Sequence, residues 1–202
     1  ETDLSVSMIR AVPKTSATRE WILESASPLL YREGLRGAGV DAIVAATGLA
    51  KATVYRHFPS KDLLVEAFLR RRDRTWRAWL EGAVAERAAA GVPPALAVFE
   101  ALGDWFASDD FRGCAFINAA AEITNPDHPA LDAVREHKRL LRDYLRVLVA
   151  GGDPAVAEAR ADALLLLVEG AIVTAQIEKS PAAAARARRA AAALIHHSTE
   201  ET

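Results

Sequence analysis

The chain has 202 residues, 51% of them hydrophobic, with a formal net charge of −2 and one cysteine, Cys114. That balance excludes a disordered polymer, a polycation, a disulfide scaffold and any cysteine-based metal site within one chain, and it fits a reducing cytoplasm. The most apolar run, residues 163–168, continues past Glu169 to Val173 and stops well short of the ~20 residues a membrane span needs, so no membrane partner is expected. Ala, Leu, Arg and Glu dominate and nothing alternates with a period of two, which predicts an all-α fold of about nine helices.

Charge is unevenly placed. Residues 1–61 carry eight Lys/Arg against six acids, a local +2, and the remainder carries −4. The N-terminal part therefore leans toward an anionic partner. Met8, the only methionine, reads as a natural start, and residues 1–14 are expected to be a disordered leader.

The first predicted helix covers about residues 16–33, with Ile22, Ala26, Leu29 and Leu30 as one stripe and Thr15 or Ser16 as its cap. Gly34, Gly37 and Gly39 then make a link. A second helix spans residues 40–47, with Ala42, Ile43, Ala45 and Ala46 expected to face inward. After a tight turn at Gly48 comes a third helix, residues 51–57. Val54 and Phe58 point into the core, leaving Lys51, Thr53, Tyr55, Arg56 and His57 outward. A helix this short is marginal alone. Its donors and cations suit phosphate oxygens and base edges in a DNA groove.

Ser60 caps a long fourth helix whose broad apolar face, Leu64 to Leu80, outlasts the first three helices. Arg70, Arg71, Arg72, Arg74 and Arg77 on it read as a solvated face more readily than as DNA contacts. Further helices follow at about 95–108, 113–124, 128–150, 154–179 and 181–196, the last two capped by Asp153 and Ser180 with Pro at the first position. Residues 197–202 read as a loose tail. Helix 154–179 is apolar all round over residues 163–168, so one face is expected on its own core and the opposite face on a second chain. Leu165, Val168, Ile172, Ala191 and Leu194 are the predicted contacts of that homodimer.

The run from Gly48 to Leu64, with its core Tyr55, His57, Phe58 and Lys61, resembles the DNA-binding domain of the TetR family of bacterial transcriptional repressors. The resemblance is strong over about residues 16–68. It implies a helix-turn-helix domain over 15–62 and a ligand-binding and dimerisation domain over 63–196. It further implies that Lys51 reads a base edge, that Thr53 and Tyr55 touch bases or phosphates, and that His57 and Lys61 bind phosphate. Arg56 departs from the usual aromatic or His and could contact guanine. Ala52 stands where many members have Gly. Ala38 and Gly39 stand where many have Ser or Thr, so a side-chain cap is missing there.

The same resemblance implies a small-molecule pocket among the C-terminal helices. Trp76, Trp79, Trp105, Phe106 and Tyr144 supply the aromatic surface such a pocket uses. Asn118 and Glu122, four apart, add polar groups on one helix face, and an internal Arg is the favoured partner for Glu122. The predicted function is thus a homodimeric, sequence-specific repressor released from double-stranded DNA by a small molecule. The alternatives are a regulator or activator without a ligand, and a helical enzyme using Cys114 with His128 or His137 as base. Nothing in the local sequence activates that thiol, so no catalytic residue is assigned. His-x-x-x-His, carboxylate-pair and phosphate-loop patterns are absent, and no metal or cofactor is expected.

Overall fold

The computed structural model describes residues 14–150 and 153–196. Residues 1–13 of the leader expected over 1–14, the Gly151-Gly152 break and the tail from residue 197 lie outside the described residues, and Lys14 belongs to the first helix. Among those described, every regular element is a helix: α1 (Lys14–Arg32), α2 (Gly34–Gly37), α3 (Val40–Thr47), α4 (Lys51–His57), α5 (Lys61–Ala89), α6 (Pro94–Ala107), α7 (Ala115–Glu122), α8 (Ala130–Leu148), α9 (Pro154–Glu178) and α10 (Ala182–His196). The tenth helix is α2, a single turn inside the Gly-rich link. Burial of its Leu35 closes a turn that a loop reading of those glycines misses. α1 begins at Lys14, so Thr15 and Ser16 sit inside its first turn instead of capping it.

α1, α3 and α4 pack around the start of α5. Ile22, Leu23, Ala26 and Leu30 of α1 meet Ile43, Val54, Phe58, Leu64 and Phe68 in one apolar core. The inward side of α3 is Ile43 and Thr47, with Val40 and Val44 partly buried. Ala42, Ala45 and Ala46, expected inside, are exposed. Thr47 locks the turn into α4. Its hydroxyl donates to the Val44 carbonyl (2.7 Å) and accepts from the Leu49 N–H (3.1 Å), while the Trp21 indole donates to its carbonyl (2.9 Å). Gly48 follows at φ +66°, a left-handed conformation that glycine adopts without strain.

α5 is the shaft of the molecule. At 29 residues it runs ~44 Å, with Ser60 accepting from the Leu63 N–H at its start. It meets α1 at one end and α6, α7 and α8 further along. α9 and α10 pack on each other and on α6, and Asp153 caps α9 through the Ala155 N–H. The apolar core runs unbroken from Ile22 to Ala191.

Asp73 is a carboxylate buried in this shaft. Arg77, one turn on, grips it with two hydrogen bonds (2.9 and 3.0 Å). From α8, His137 places Nδ1 2.8 Å from Asp73 Oδ1. Phe116 of α7 stacks flat on the imidazole, 3.6 Å between centroids, and Trp76 meets its edge. Desolvation opposes the charge on Asp73, but the bonds from His137 and Arg77 outweigh it and hold the carboxyl down at about 2. The arginine row is therefore not a uniform solvated face: Arg77 pairs inward, and Arg72 lies over the Tyr31 ring at 4.1 Å.

A depressed carboxyl stabilises the fold above its unfolded value of 3.8 and loses that contribution as pH falls toward 2. The loss amounts to roughly 2 kcal/mol. Urea unfolding between pH 5 and pH 2 is expected to show this decline in the native chain and a flatter profile in Asp73→Asn. At neutral pH the variant should be destabilised by about 3 kcal/mol, because His137 and Arg77 lose their buried partner.

Candidate nucleic-acid interface and effector cavities

α4 is held by its two buried anchors, Val54 and Phe58, and presents the rest to solvent. Lys51, Tyr55 and Arg56 are exposed, and Thr53, His57 and Lys61 are half-buried along the same edge. Lys51 Nζ reaches back to Asp41 of α3 at 2.8 Å. That bond raises the Lys51 pKa and lowers that of Asp41, so each keeps the other charged. Arg56, His57 and Lys61 form no ion pair among the described residues. Arg19 of α1 lies over the Phe58 ring at 4.6 Å and braces α4 from behind. The expected lack of a side-chain cap on α3 is observed: Gly39 precedes it with no capping bond.

The C-terminal residues separate into two spaces where the sequence suggested one. Trp76, Trp79 and Trp105 wall a cleft of about 400 Å³ together with Arg72, Asp104 and Asp110. Their ring centroids lie 5.5–6.3 Å apart. Phe106, Asn118 and Glu122 line a separate cavity of about 720 Å³, bounded by α1 and α2 on one side and α7 and α9 on the other. Tyr144 borders neither; it packs half-buried against the core of α8, and desolvation raises its pKa. The pooling failed because Asn118 and Glu122 sit on the face of α7 turned toward the N-terminal helices.

Glu122 has an internal partner, as expected for a half-buried carboxylate. Its Oε2 accepts from the Arg36 N–H (2.8 Å), and the Arg36 guanidinium donates to its main-chain carbonyl (2.8 Å). The carboxylate rests against Gly34, at φ +79°, where a Cβ would stand 2.9 Å from Oε1. The left-handed conformation favours glycine there, and a Cβ would also push the carboxylate tip aside. At the other end of α7, the Tyr31 hydroxyl donates to the Gly113 carbonyl (2.9 Å) and accepts from the Arg112 N–H (3.0 Å). α7 is thus tied to α1 at its start and to α2 at its end. Sequence reasoning missed Tyr31, Arg36, Asp73 and His137 as a set. Their partners lie 64 to 86 residues away, and no local periodicity records them.

Cys114 stands at the N-cap position of α7, without a side-chain capping bond, and is buried. Burial alone would push its thiol up. The neighbouring His137 side chain and the Lys138 ammonium, with the Ile117 N–H, reverse this and bring it down. Lys138 Nζ lies 3.8 Å from Sγ and is itself paired with Glu169 of α9 at 2.8 Å. An activating environment therefore exists, assembled by tertiary packing.

The predicted self-association contacts divide similarly. Val168, Ile172 and Ala191 are buried by the chain's own helices and have no side-chain surface for a second chain. Leu165 and Leu194 are half-buried. The outward face of α9 instead carries Leu166, 71% exposed, Gly170 and Ile177, 75% exposed. Residues 163–168 thus have one face on the chain's own core and one face in solvent, and the residues expected to meet a second chain lie mostly on the core side.

Helices α1 to α4, with α4 exposed and polar, mounted on a long shaft and a larger helical body, define a helix-turn-helix regulator. Comparison with known proteins agrees. Residues 22–68 match the model described as "Bacterial regulatory proteins, tetR family", and residues 91–191 match "Tetracyclin repressor-like, C-terminal domain". The chain belongs to the TetR family of transcriptional regulators and carries its DNA-binding helix-turn-helix. The crystal structure of SCO4454, a TetR-family regulator from Streptomyces coelicolor, is 30% identical, covers 90% of this chain and 96% of its own, and superposes with a TM-score of 0.77. The HTH-type transcriptional regulator YjdC of Escherichia coli (strain K12) is 22% identical over 167 residues, 81% of this chain and 86% of that protein. The HTH-type transcriptional repressor DhaR of Mycobacterium sp. (strain GP1) is 23% identical over 177 residues, 80% of this chain and 84% of that protein.

Tyr31→Phe removes both bonds at the start of α7 and leaves the Gly113 carbonyl and Arg112 N–H without that partner. We expect a loss of about 1–3 kcal/mol in urea unfolding and faster hydrogen exchange at the Arg112 amide.

Proposed function

We propose that this protein is a homodimeric repressor that binds a pseudo-palindromic operator through α4 and releases it when a small molecule occupies the C-terminal helices. The observation that carries the reading is the double tie of α7. This one helix borders the 720 Å³ cavity, carries Phe116 and Cys114 toward the middle of the body, and is bonded at both ends to the helices that position α4. A ligand that prefers a different placement of α7 also prefers a different placement of α4. It weakens DNA binding by its difference in affinity for the two states.

In this reading Lys51, Thr53, Tyr55, Arg56, His57 and Lys61 face the duplex, with Arg56 supplying base discrimination and His57 and Lys61 supplying phosphate contacts. The exposed apolar face of α9 around Leu166, Gly170 and Ile177 supports self-association there, which would set two α4 helices about one DNA turn apart.

Titration of the protein's own upstream DNA by gel shift or anisotropy tests the reading. A salt-sensitive complex confined to an inverted repeat is expected, and binding with no sequence preference at any salt sinks it. Arg56→Ala should cost about 1–3 kcal/mol and relax specificity at one position. Asp41→Asn should bind several-fold tighter, since Lys51 no longer leaves a carboxylate to reach the DNA. Leu166→Arg should sediment as a monomer and lose cooperative operator binding; a variant that remains dimeric would move the interface elsewhere.

A further inference from the structure

The regulator reading makes no use of the polar cluster behind α7. Asp73 accepts from Nδ1 of His137 (2.8 Å), which leaves Nε2 for the Cys114 thiol, and the stacked Phe116 ring holds the imidazole in that orientation. Lys138 adds a cation 3.8 Å from Sγ. Beside the thiol lies a space of about 10 Å³ lined by Arg72, Trp76, Trp105, His137 and Lys138. The first three of these also line the 400 Å³ tryptophan cleft, so the thiol sits just behind its wall. Trp76, only 8% exposed, borders both spaces, and its indole N–H has no hydrogen-bond partner. A buried donor left without an acceptor, lining the same small space as a nucleophile behind an aromatic cleft, defines a ligand by its chemistry.

We propose that Cys114 is an electrophile-responsive thiol that adds covalently to α,β-unsaturated carbonyl compounds entering through the tryptophan cleft, and that the adduct displaces the start of α7. The inference rests on the regulator reading and names the effector class for it. His137 takes the thiol proton through Nε2 as Sγ attacks the β-carbon. The C–S bond forms, and the C=C π pair moves toward the carbonyl as an enolate. That charge develops where the free Trp76 N–H can donate. The proton then passes to the α-carbon, so S–H and C=C are exchanged for C–S and C–H with no further reactant. Planar unsaturated carbonyl compounds match the flat walls of Trp76, Trp79 and Trp105.

The cavity at the thiol is about 10 Å³, little more than one water fills. Any adduct must therefore push the α7 start aside. Gly113, one residue before the thiol, is the acceptor for Tyr31, so that tie to α1 breaks.

The test uses the full chain at pH 6 with N-ethylmaleimide, an unsaturated imide, and intact-mass detection. The charged or titratable groups around the thiol are His137 and Lys138 from α8, Arg72 and Asp73 from α5, Tyr31 from α1 and, through Lys138, Glu169 of α9. One adduct is expected, absent in Cys114→Ser, forming about tenfold faster than in the urea-unfolded chain at the same pH. Trp76→Phe should slow the maleimide reaction but leave alkylation by iodoacetamide unchanged. After modification the Arg112 amide should exchange faster and the DNA complex should dissociate. Slower reaction in the folded chain than in the unfolded one overturns the proposal. So does an adduct that leaves both Arg112 exchange and DNA affinity unchanged. If the untreated protein binds no DNA, the regulator reading fails instead, while the relative rates and Arg112 exchange still decide the thiol chemistry.

Discussion

A negative charge buried in the middle of α5 constrains everything packed around it. Asp73 cannot remain ionised among apolar neighbours without donors on more than one side. Arg77 satisfies one side from the same helix, and His137 must come from α8 to satisfy another. That requirement fixes the register of α8 against α5. It also gives Phe116 of α7 a flat ring to stack on. Three helices are thus indexed to one carboxylate, where apolar packing alone would tolerate small slides.

With α7 set against α5 and α8 from within, its ends meet the N-terminal helices in a defined way. Tyr31 closes on the loop before it and Arg36 on its last residue. Both ties are directional hydrogen bonds, two of them made to main-chain carbonyls. A polar tie between two helical bodies either holds in one geometry or breaks, and it does not deform gradually. This suits the proposed switch, in which the reading helix occupies one of two positions.

The fold was legible in the sequence because its signals are local. Ser60, Asp153 and Gly48 punctuate helices by rules that operate over four residues, and they fall where the structure uses them. The outward face of α4 followed from the spacing of Val54 and Phe58. The faces of α9 were harder to assign. An all-apolar stretch such as 163–168 carries no polar residue to mark which side is wet, and Val168 and Ile172, expected to meet a second chain, lie on the core side. The polar cluster was illegible for a different reason. Asp73 looks like one more charge on an arginine-rich helix, Cys114 like a buried hydrophobe, and nothing in the sequence favours His137 over His128 as the histidine beside that thiol. Only long-range packing brings them together, and an environment assembled from distant residues leaves no pattern in any one of them.

The size of the coupling can be bounded from the contacts. Four hydrogen bonds join α7 to α1 and α2: two through Tyr31 and two through Arg36. At about 1 kcal/mol net each, losing one end of α7 releases about 2 kcal/mol, or roughly thirtyfold in affinity. Losing both ends would approach ~4 kcal/mol, more than effectors commonly exert. In the proposed switch, an effector that disturbs only the start of α7 would therefore suffice, and it would leave the Arg36–Glu122 bonds in place as a pivot. In this scheme the N-terminal helices swing about the Arg36 end when the Tyr31 end is released, and α4 moves with α1 because Arg19, Trp21 and Thr47 bind them into one body.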